Sequence, residues 1–394
     1  MAKLMTSLAI NLPDDAGRPV AYALKATPVE VPTGPHVFNR TVFSAAHVVA
    51  DPFAAREPGV GPAIDWDATL AFRRHILELG LGIAEAMDTA QRGMGLDWAG
   101  ALELIERSLA AAAPQERERI FSGVGTDHLD PADARSLDDV VAAYLEQLAA
   151  VQKLGGRVIL MASRALARVA RGPADYETVY ARVLAEADHP VILHWLGDMF
   201  DPALAGYWGA TDFPPALETA LNVIGASTAK VDGIKVSLLD DAKEIEARRR
   251  LPHGVKMYTG DDFNYPALIK GDAEGFSHAL LGIFDPIAPA ASAALAALAR
   301  DDIATYDGLM EPTVPLSRLI FRAPTQYYKT GVVFLAYLNG FQDHFVMVGG
   351  AQSMRPLPYF TELFRLADAA GLLRDPGMAV ARMRSFLRLY GAEG

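Results

Sequence analysis

From about residue 40 onward, short apolar runs alternate with longer stretches whose apolar residues recur every three or four positions. The runs are TVFSAAHVV (41–49), LGIAEAMDT (81–89), RIFSGVGTD (119–127), GRVILMAS (156–163), HPVILHW (189–195), VDGIKVS (231–237), GVKMYTGDD (254–262) and HALLGIFDP (278–286). Runs of this length bounded by turn-forming residues predict strands. Between them, segments such as WDATLAFRRHILELG, LDDVVAAYLEQLAAVQKLGG and DYETVYARVLAEA gather their apolar residues on one helical face. Eight strand–helix units predict an α/β fold with a parallel sheet covered by helices, closed as a (β/α)8 TIM barrel rather than open. No G-x-G-x-x-G follows the first strand, which disfavours a dinucleotide-binding sheet.

The pattern differs at both ends. LAINLP and VAYALKA alternate with period two around DDAGRP, which predicts a β-hairpin, followed by a Pro-rich link, VPTGP. After about residue 288, PAASAALAALARDDIATYDGLM, TQYYKTGVVFLAYLNGF, PYFTELFRLADAAG and DPGMAVARMRSFLRLYG predict helices. The expected organisation is an N-terminal β-hairpin extension over residues 1–37, a barrel over 38–290 and a C-terminal helical region over 291–394.

Composition narrows the function classes. Hydrophobic residues make up 51% of the 394 and charged residues 21%, ample for a large core. The formal charge of −12 and the absence of a long basic run argue against nucleic acid and anionic membranes as partners. Arg248, Arg249 and Arg250, the densest basic cluster, fit the polar end of a helix. There are no cysteines, so disulfides, thiolate catalysis and Cys-based metal sites are excluded. MAKLMTSLAINLPDD lacks the apolar core of a signal peptide, and no run suggests a membrane span, so the expected location is the cytoplasm.

Barrel active sites lie at the C-terminal ends of the strands. Those ends carry His47, Glu85, Asp88, Thr89, Asp127, His128, His194, Trp195, Lys235, Tyr258, Asp261, Asp262 and Asp285. Strand-end Asp and Thr residues also cap helices, and Asp262 and Asp285 are expected to do so. His194 has a core reading beside its functional one. Lys235 is the unusual residue, because an interior barrel strand has no edge along which its side chain could reach water. It is either half of a structural ion pair or an amine whose pKa burial lowers, so that it attacks a carbonyl and forms a Schiff base.

Several segments carry a family likeness. VDGIKVSLLDD resembles the sixth-strand G-I-K segment of the dihydrodipicolinate synthase and N-acetylneuraminate lyase superfamily, which holds the Schiff-base lysine. YTGDDFNYPALIKGDAEGFSHALLGIFDPIAP resembles its S-G-D-D segment with the following helix, Gly-rich turn and eighth strand. HPVILHWLGDMFDP resembles its fifth strand, and APTQYYKTGVVFLAYLNG with SMRPLPYF resembles its C-terminal helices. The likeness runs in order over residues 40–365 and marks a divergent branch of the dihydrodipicolinate synthase-like kind. It implies a class I aldolase-type lyase with Lys235 as nucleophile.

The departures redirect the substrate. His194 stands where the family has its proton-relaying tyrosine; an imidazole can do that work with a pKa closer to neutrality. MDTAQRG stands where the family has G-T-T-G-E; Thr89 matches the second hydroxyl, Asp88 replaces the first and Gln91 the Glu. Met199 stands where the synthases have a carboxylate-binding Arg. An acidic Asp88 repels a 2-keto acid, so a neutral sugar-like or cyclitol-like carbonyl compound fits better. In this reading Lys235, His194, Thr89 and Asp88 are catalytic. His47, Glu85, Asp127, Trp195, Tyr258 and Asp261 bind substrate. No cofactor is needed beyond the covalent Schiff base. A homodimer or homotetramer is expected.

Two alternatives stand beside it. One is a metal-dependent sugar isomerase, epimerase or lyase, with a divalent cation held among His47, Glu85, Asp88, Asp127, His128 and His194. The other is a non-catalytic binding protein on an aldolase scaffold.

Overall fold

The computed structural model describes residues 8–392 except 15, 32, 33 and 35. Residues 1–7 of the signal-peptide reading, Asp15 of the turn and Pro32, Thr33 and Pro35 of the VPTGP link therefore lie outside the described residues.

Strand β1 (Ala9–Pro13) pairs antiparallel with β2 (Pro19–Ala23), as the period-two alternation requires. Ile10 and Leu12 are buried, and the Asp14 carboxylate accepts the Ala16 and Arg18 N–H groups in the turn. The hairpin leans on the C-terminal helices: Asp368 accepts the Tyr22 hydroxyl at 2.7 Å and the Lys25 N–H at 2.9 Å.

Eight parallel strands close the barrel: β3 (Val42–Ala45), β4 (Gly82–Glu85), β5 (Ile120–Val124), β6 (Arg157–Leu160), β7 (Val191–Leu196), β8 (Val231–Ser237), β9 (Lys256–Thr259) and β10 (His278–Leu281). Strand β10 pairs back onto β3 through Ala279 and Val42. Each falls on one of the eight apolar runs, with β7 ending one residue beyond its run, at Leu196. The helices between them begin at side-chain caps in the loops: Asp65 before Trp66–Glu78, Asp97 before Trp98–Ala111, Ser136 before Leu137–Lys153 and Asp240 before Asp241–Arg250.

Alternation along the strands makes two apolar layers. Phe43, Ala45, Ala84, Phe121, Ile159, Ile192, Tyr258 and Leu280 form a separate cluster inside the barrel. The opposite faces, with Ile83, Ile120, Leu193, Ile234 and Met257, join the larger core under the helices. The interior is thus packed by side chains, and only the layer above it is free for chemistry.

Helix Ala288–Leu298 follows β10 and straddles the expected boundary at 290/291. Its alanine-rich surface is buried nearly all round, because Ile303–Met310 and later helices cover the side that faces away from the barrel. Val314–Ile320, Tyr328–Leu338, Leu357–Ala369 and Pro376–Leu389 complete the helical region. Among the described residues, no helix is long and apolar enough to cross a membrane.

Candidate active site

Lys235 lies in register between His194 on β7 and Tyr258 on β9. It is 8% exposed. Lys243, Lys256 and Lys270 each meet a carboxylate at 3.1, 2.9 and 2.7 Å. Among the described residues Lys235 meets none within 4.0 Å. Burial pulls its pKa down, and the more distant charges of Asp262 and Asp88 recover only part of the fall. Gly260 makes room for the side chain. A Cβ there would lie 2.8 Å from Lys235 Cε and 2.7 Å from the Val236 carbonyl oxygen.

Around Lys235 is a small, tightly packed chamber, walled by Ala45, Met87, Leu196, Phe200, Gly282, Phe321 and Tyr328. Its polar groups are Asp88, Thr89, Ser237 and Asp262. Asp88 and Leu196 also line a wider outer cleft of about 630 Å³ over the ends of β5, β6 and β7. There, Arg92 is held by Asp127 at 2.7 Å and Arg164 by Asp201 at 2.5 Å. Burial raises the Asp127 carboxyl, but the Arg92 charge and hydrogen bonds from Arg92 and Gln147 leave it below its ordinary value.

Of the expected catalytic residues, Lys235, Thr89 and Asp88 share the chamber, and His194 lines the outer cleft. His194 Nε2 lies 3.4 Å from Ser237 Oγ, and its Nδ1 is buried without a partner. Burial, reinforced by the Lys235 charge, holds the imidazole pKa well below 6.5. Burial thus favours the neutral imidazole, against the expectation of a base titrating near neutrality.

Among the expected substrate-binding residues, Asp127 alone reaches the cleft. Glu85 is locked to Arg73 at 2.8 and 2.9 Å, and also accepts Ser108 Oγ and the Ala86 N–H. His47 Nδ1 meets Asp285 at 2.8 Å, and its ring packs on Phe72. Trp195 follows inward-facing His194 and so faces outward, stacked on Phe213. Tyr258 turns its ring toward the start of β8, where Gly233 leaves space, and donates to Asp232 at 2.6 Å. Asp261 accepts the Phe263 and Asn264 N–H groups in its own turn. These five expectations are corrected: each side chain is taken up by a neighbour outside the cleft.

The dispersal also undoes the geometry of the metal alternative. His128 bonds Gln147 at 2.8 Å, and Glu85, His47 and Asp127 are held as described. Among the described residues no three His, Asp or Glu groups converge as metal ligands would.

The helix-cap reading fails for Asp262 and Asp285. Asp285 accepts the His47 N–H, while Asp262 faces the chamber and accepts the Ile283 N–H at 2.9 Å. Burial raises Asp262 to about 7 against the lowering effects of that hydrogen bond and of Lys235. Tyr328 was not foreseen either. It enters from the C-terminal region and bonds Thr89 Oγ1 at 2.8 Å. The TGDD run contained the signal for Asp262; helical periodicity gave none for Tyr328.

Comparison with solved structures places this barrel among the dihydrodipicolinate synthases in fold. The enzyme from Bacillus clausii superposes with a TM-score of 0.59 at 15% identity, over 82% of this chain and 96% of that one. That from Aquifex aeolicus gives 0.57 at 13%, over 90% and 98%. That from Oceanobacillus iheyensis gives 0.54 at 17%, over 77% and 87%. Comparison with curated protein sequences finds no match. The family described as "Protein of unknown function (DUF993)" matches residues 10–392.

Proposed function

The chain belongs to the DUF993 family, and on that premise we propose that it is a Schiff-base-forming lyase of the class I aldolase type, acting on a neutral, hydroxylated carbonyl compound of the sugar kind. One observation carries the reading: Lys235 is a buried amine, without an ion-pair partner among the described residues, at the floor of a cleft. Burial lowers Lys235 and raises Asp262, so both shifts favour a neutral amine facing a protonated carboxyl. A neutral amine can attack a carbonyl carbon, and the carbinolamine then loses water to give an iminium. The iminium withdraws electrons from the adjacent carbon, so a C–C or C–O bond one carbon further out can break.

The walls support the substrate class. A carboxylate next to the reacting carbonyl would meet the acidic Asp88. In the outer cleft Arg92 and Arg164 are already held by carboxylates, which suits hydroxyls better than a free anion. Asp88 spans both spaces and can hold the hydroxyl beside the carbonyl, with neutral His194 taking one further out.

Borohydride reduction in the presence of dihydroxyacetone, glyceraldehyde, erythrulose or pyruvate tests this. The expected result is a stable adduct on Lys235 with a hydroxylated probe and little with pyruvate. Adducts with none of the four, or undiminished adducts in Lys235→Ala, would remove the mechanism.

A further inference from the structure

His194, expected to carry the proton transfers, lines the outer cleft and not the chamber that holds Lys235. The chamber contains another candidate from outside the barrel. Tyr328 opens the helix Tyr328–Leu338, is 4% exposed and lines the same chamber as Lys235. Its ring stacks on Phe321 at 4.4 Å and 14°. Its hydroxyl shares a 2.8 Å hydrogen bond with Thr89. Gly282 keeps the space clear: a Cβ there would lie 3.0 Å from Phe321 Cζ and 3.3 Å from Tyr328 Cε2.

The next residue is as unusual. Lys329 is 4% exposed, yet its Nζ has only the Gln326 carbonyl, at 3.1 Å, as a hydrogen-bond partner among the described residues. It sits in the first turn of a helix, where the dipole opposes a cation. Burial lowers it to about 8. Its ammonium lies 4.6 Å from the centroid of the Tyr328 ring. A cation there attracts the ring electrons and stabilises negative charge developing on the phenol oxygen.

We infer that Tyr328 is the proton-transferring group of the site, hydrogen-bonded by Thr89, and that Lys329 is its positioning residue. The inference rests on the Lys235 reading. In the first step the Tyr328 hydroxyl gives its proton to the carbinolamine hydroxyl, which leaves as water. Lys235 and the substrate carbon are left as an iminium and Tyr328 as tyrosinate. The tyrosinate then takes a proton from the substrate, either from the carbon beside the iminium or from the hydroxyl whose C–C bond breaks. The electron pair moves into the iminium, giving a neutral enamine and restoring the phenol. Burial first, and then the nearby charge of Asp88, keep the resting phenol protonated.

The test uses the whole protein with dihydroxyacetone in deuterated water. Borohydride-trapped Lys235 adduct and deuterium uptake at the probe's hydroxymethyl carbon are followed separately by mass spectrometry. Wild type is expected to give both. Tyr328→Phe keeps the ring, so adduct should still reach the wild-type yield on long incubation, while its initial rate of formation and the exchange both fall, the exchange about 100-fold or more, within the usual range for a general acid–base group. Lys329→Met should lower exchange several-fold at undiminished adduct yield, and Lys329→Arg should restore most of it. Wild-type exchange in Tyr328→Phe overturns the inference and leaves the Lys235 reading standing. A lower final adduct yield in Tyr328→Phe, even on long incubation, also overturns it, by showing a role in shaping the chamber. An absent wild-type adduct overturns the Lys235 reading and this inference with it.

Discussion

Two sides of the barrel rim treat buried charge in opposite ways. At the ends of β3 and β4, Glu85 meets Arg73 through two hydrogen bonds and His47 meets Asp285 at 2.8 Å, all in sites closed to solvent. At the ends of β8 and β9, Lys235 and Asp262 are as deeply buried, but they are not in ion-pair contact and they face a chamber. A charge removed from water is tolerable when a partner replaces the lost solvation. The first side meets that condition and serves the fold. The second does not, and its charges shift toward their neutral forms, which is the state that carbonyl chemistry requires.

That contrast is open to direct attack. The largest effect is expected at Lys235. Lys235→Met should abolish borohydride-trapped adduct altogether while leaving the unfolding midpoint unchanged or higher, since it removes an expensive group. A large loss of stability would show that Lys235 serves the fold after all. On the paired side the pattern should invert: Arg73→Met leaves Glu85 buried and unpaired, which typically costs about 3–5 kcal/mol. Denaturant titration measures it, and a change within error would erase the distinction between the two sides.

A pH series sharpens the comparison. Burial raises Asp262 to about 7 and Glu244, on the buried face of the helix Asp241–Arg250, to about 8. Both hold their protons more tightly folded than unfolded. The stability they contribute is full below their ordinary values, 3.8 and 4.5, and is lost as pH rises through 7 and 8. Glu244→Gln should flatten that decline by an amount on the order of a few kcal/mol, read from unfolding free energies at pH 5 and pH 9. An unchanged slope would mean that Glu244 is ionised in the fold.

The smallest effect is expected at Tyr258, which the rim position suggested for substrate binding. Tyr258→Phe should cost about 1 kcal/mol for its hydrogen bond to half-buried Asp232 and leave Lys235 adduct formation as in wild type. A tenfold loss of adduct would return Tyr258 to the site.

The sequence made the barrel legible because its signals are periodic and repeated. Eight apolar runs, helical faces between them and a lysine in the sixth run needed no knowledge of contacts. The chamber was legible only in part. Lys235, Asp88 and Thr89 sit where strand order puts them. Trp195 and Tyr258 were misplaced because nearness to a strand end does not say which way a side chain turns, and there one residue of register or one neighbouring glycine decides. Glu85 and His47 were misplaced because their partners, Arg73 and Asp285, come from other segments of the chain. Tyr328 was invisible for a similar reason: it lies 239 residues from its hydrogen-bond partner Thr89, in a helix whose pattern shows burial but not what it is buried against.

Carbonyl chemistry in the chamber requires Lys235 to be an amine with a lowered pKa and, among the described residues, no ion-pair partner. The direct measurement is the pH dependence of reductive trapping by dihydroxyacetone, resolved lysine by lysine by peptide mapping. The rate at Lys235 should rise with a midpoint clearly below 10.5, the value its amine would have without burial, and should exceed that of the ion-paired Lys243 and Lys270 at neutral pH. A midpoint at or above that value, or labelling of Lys235 no faster than theirs, would contradict the account.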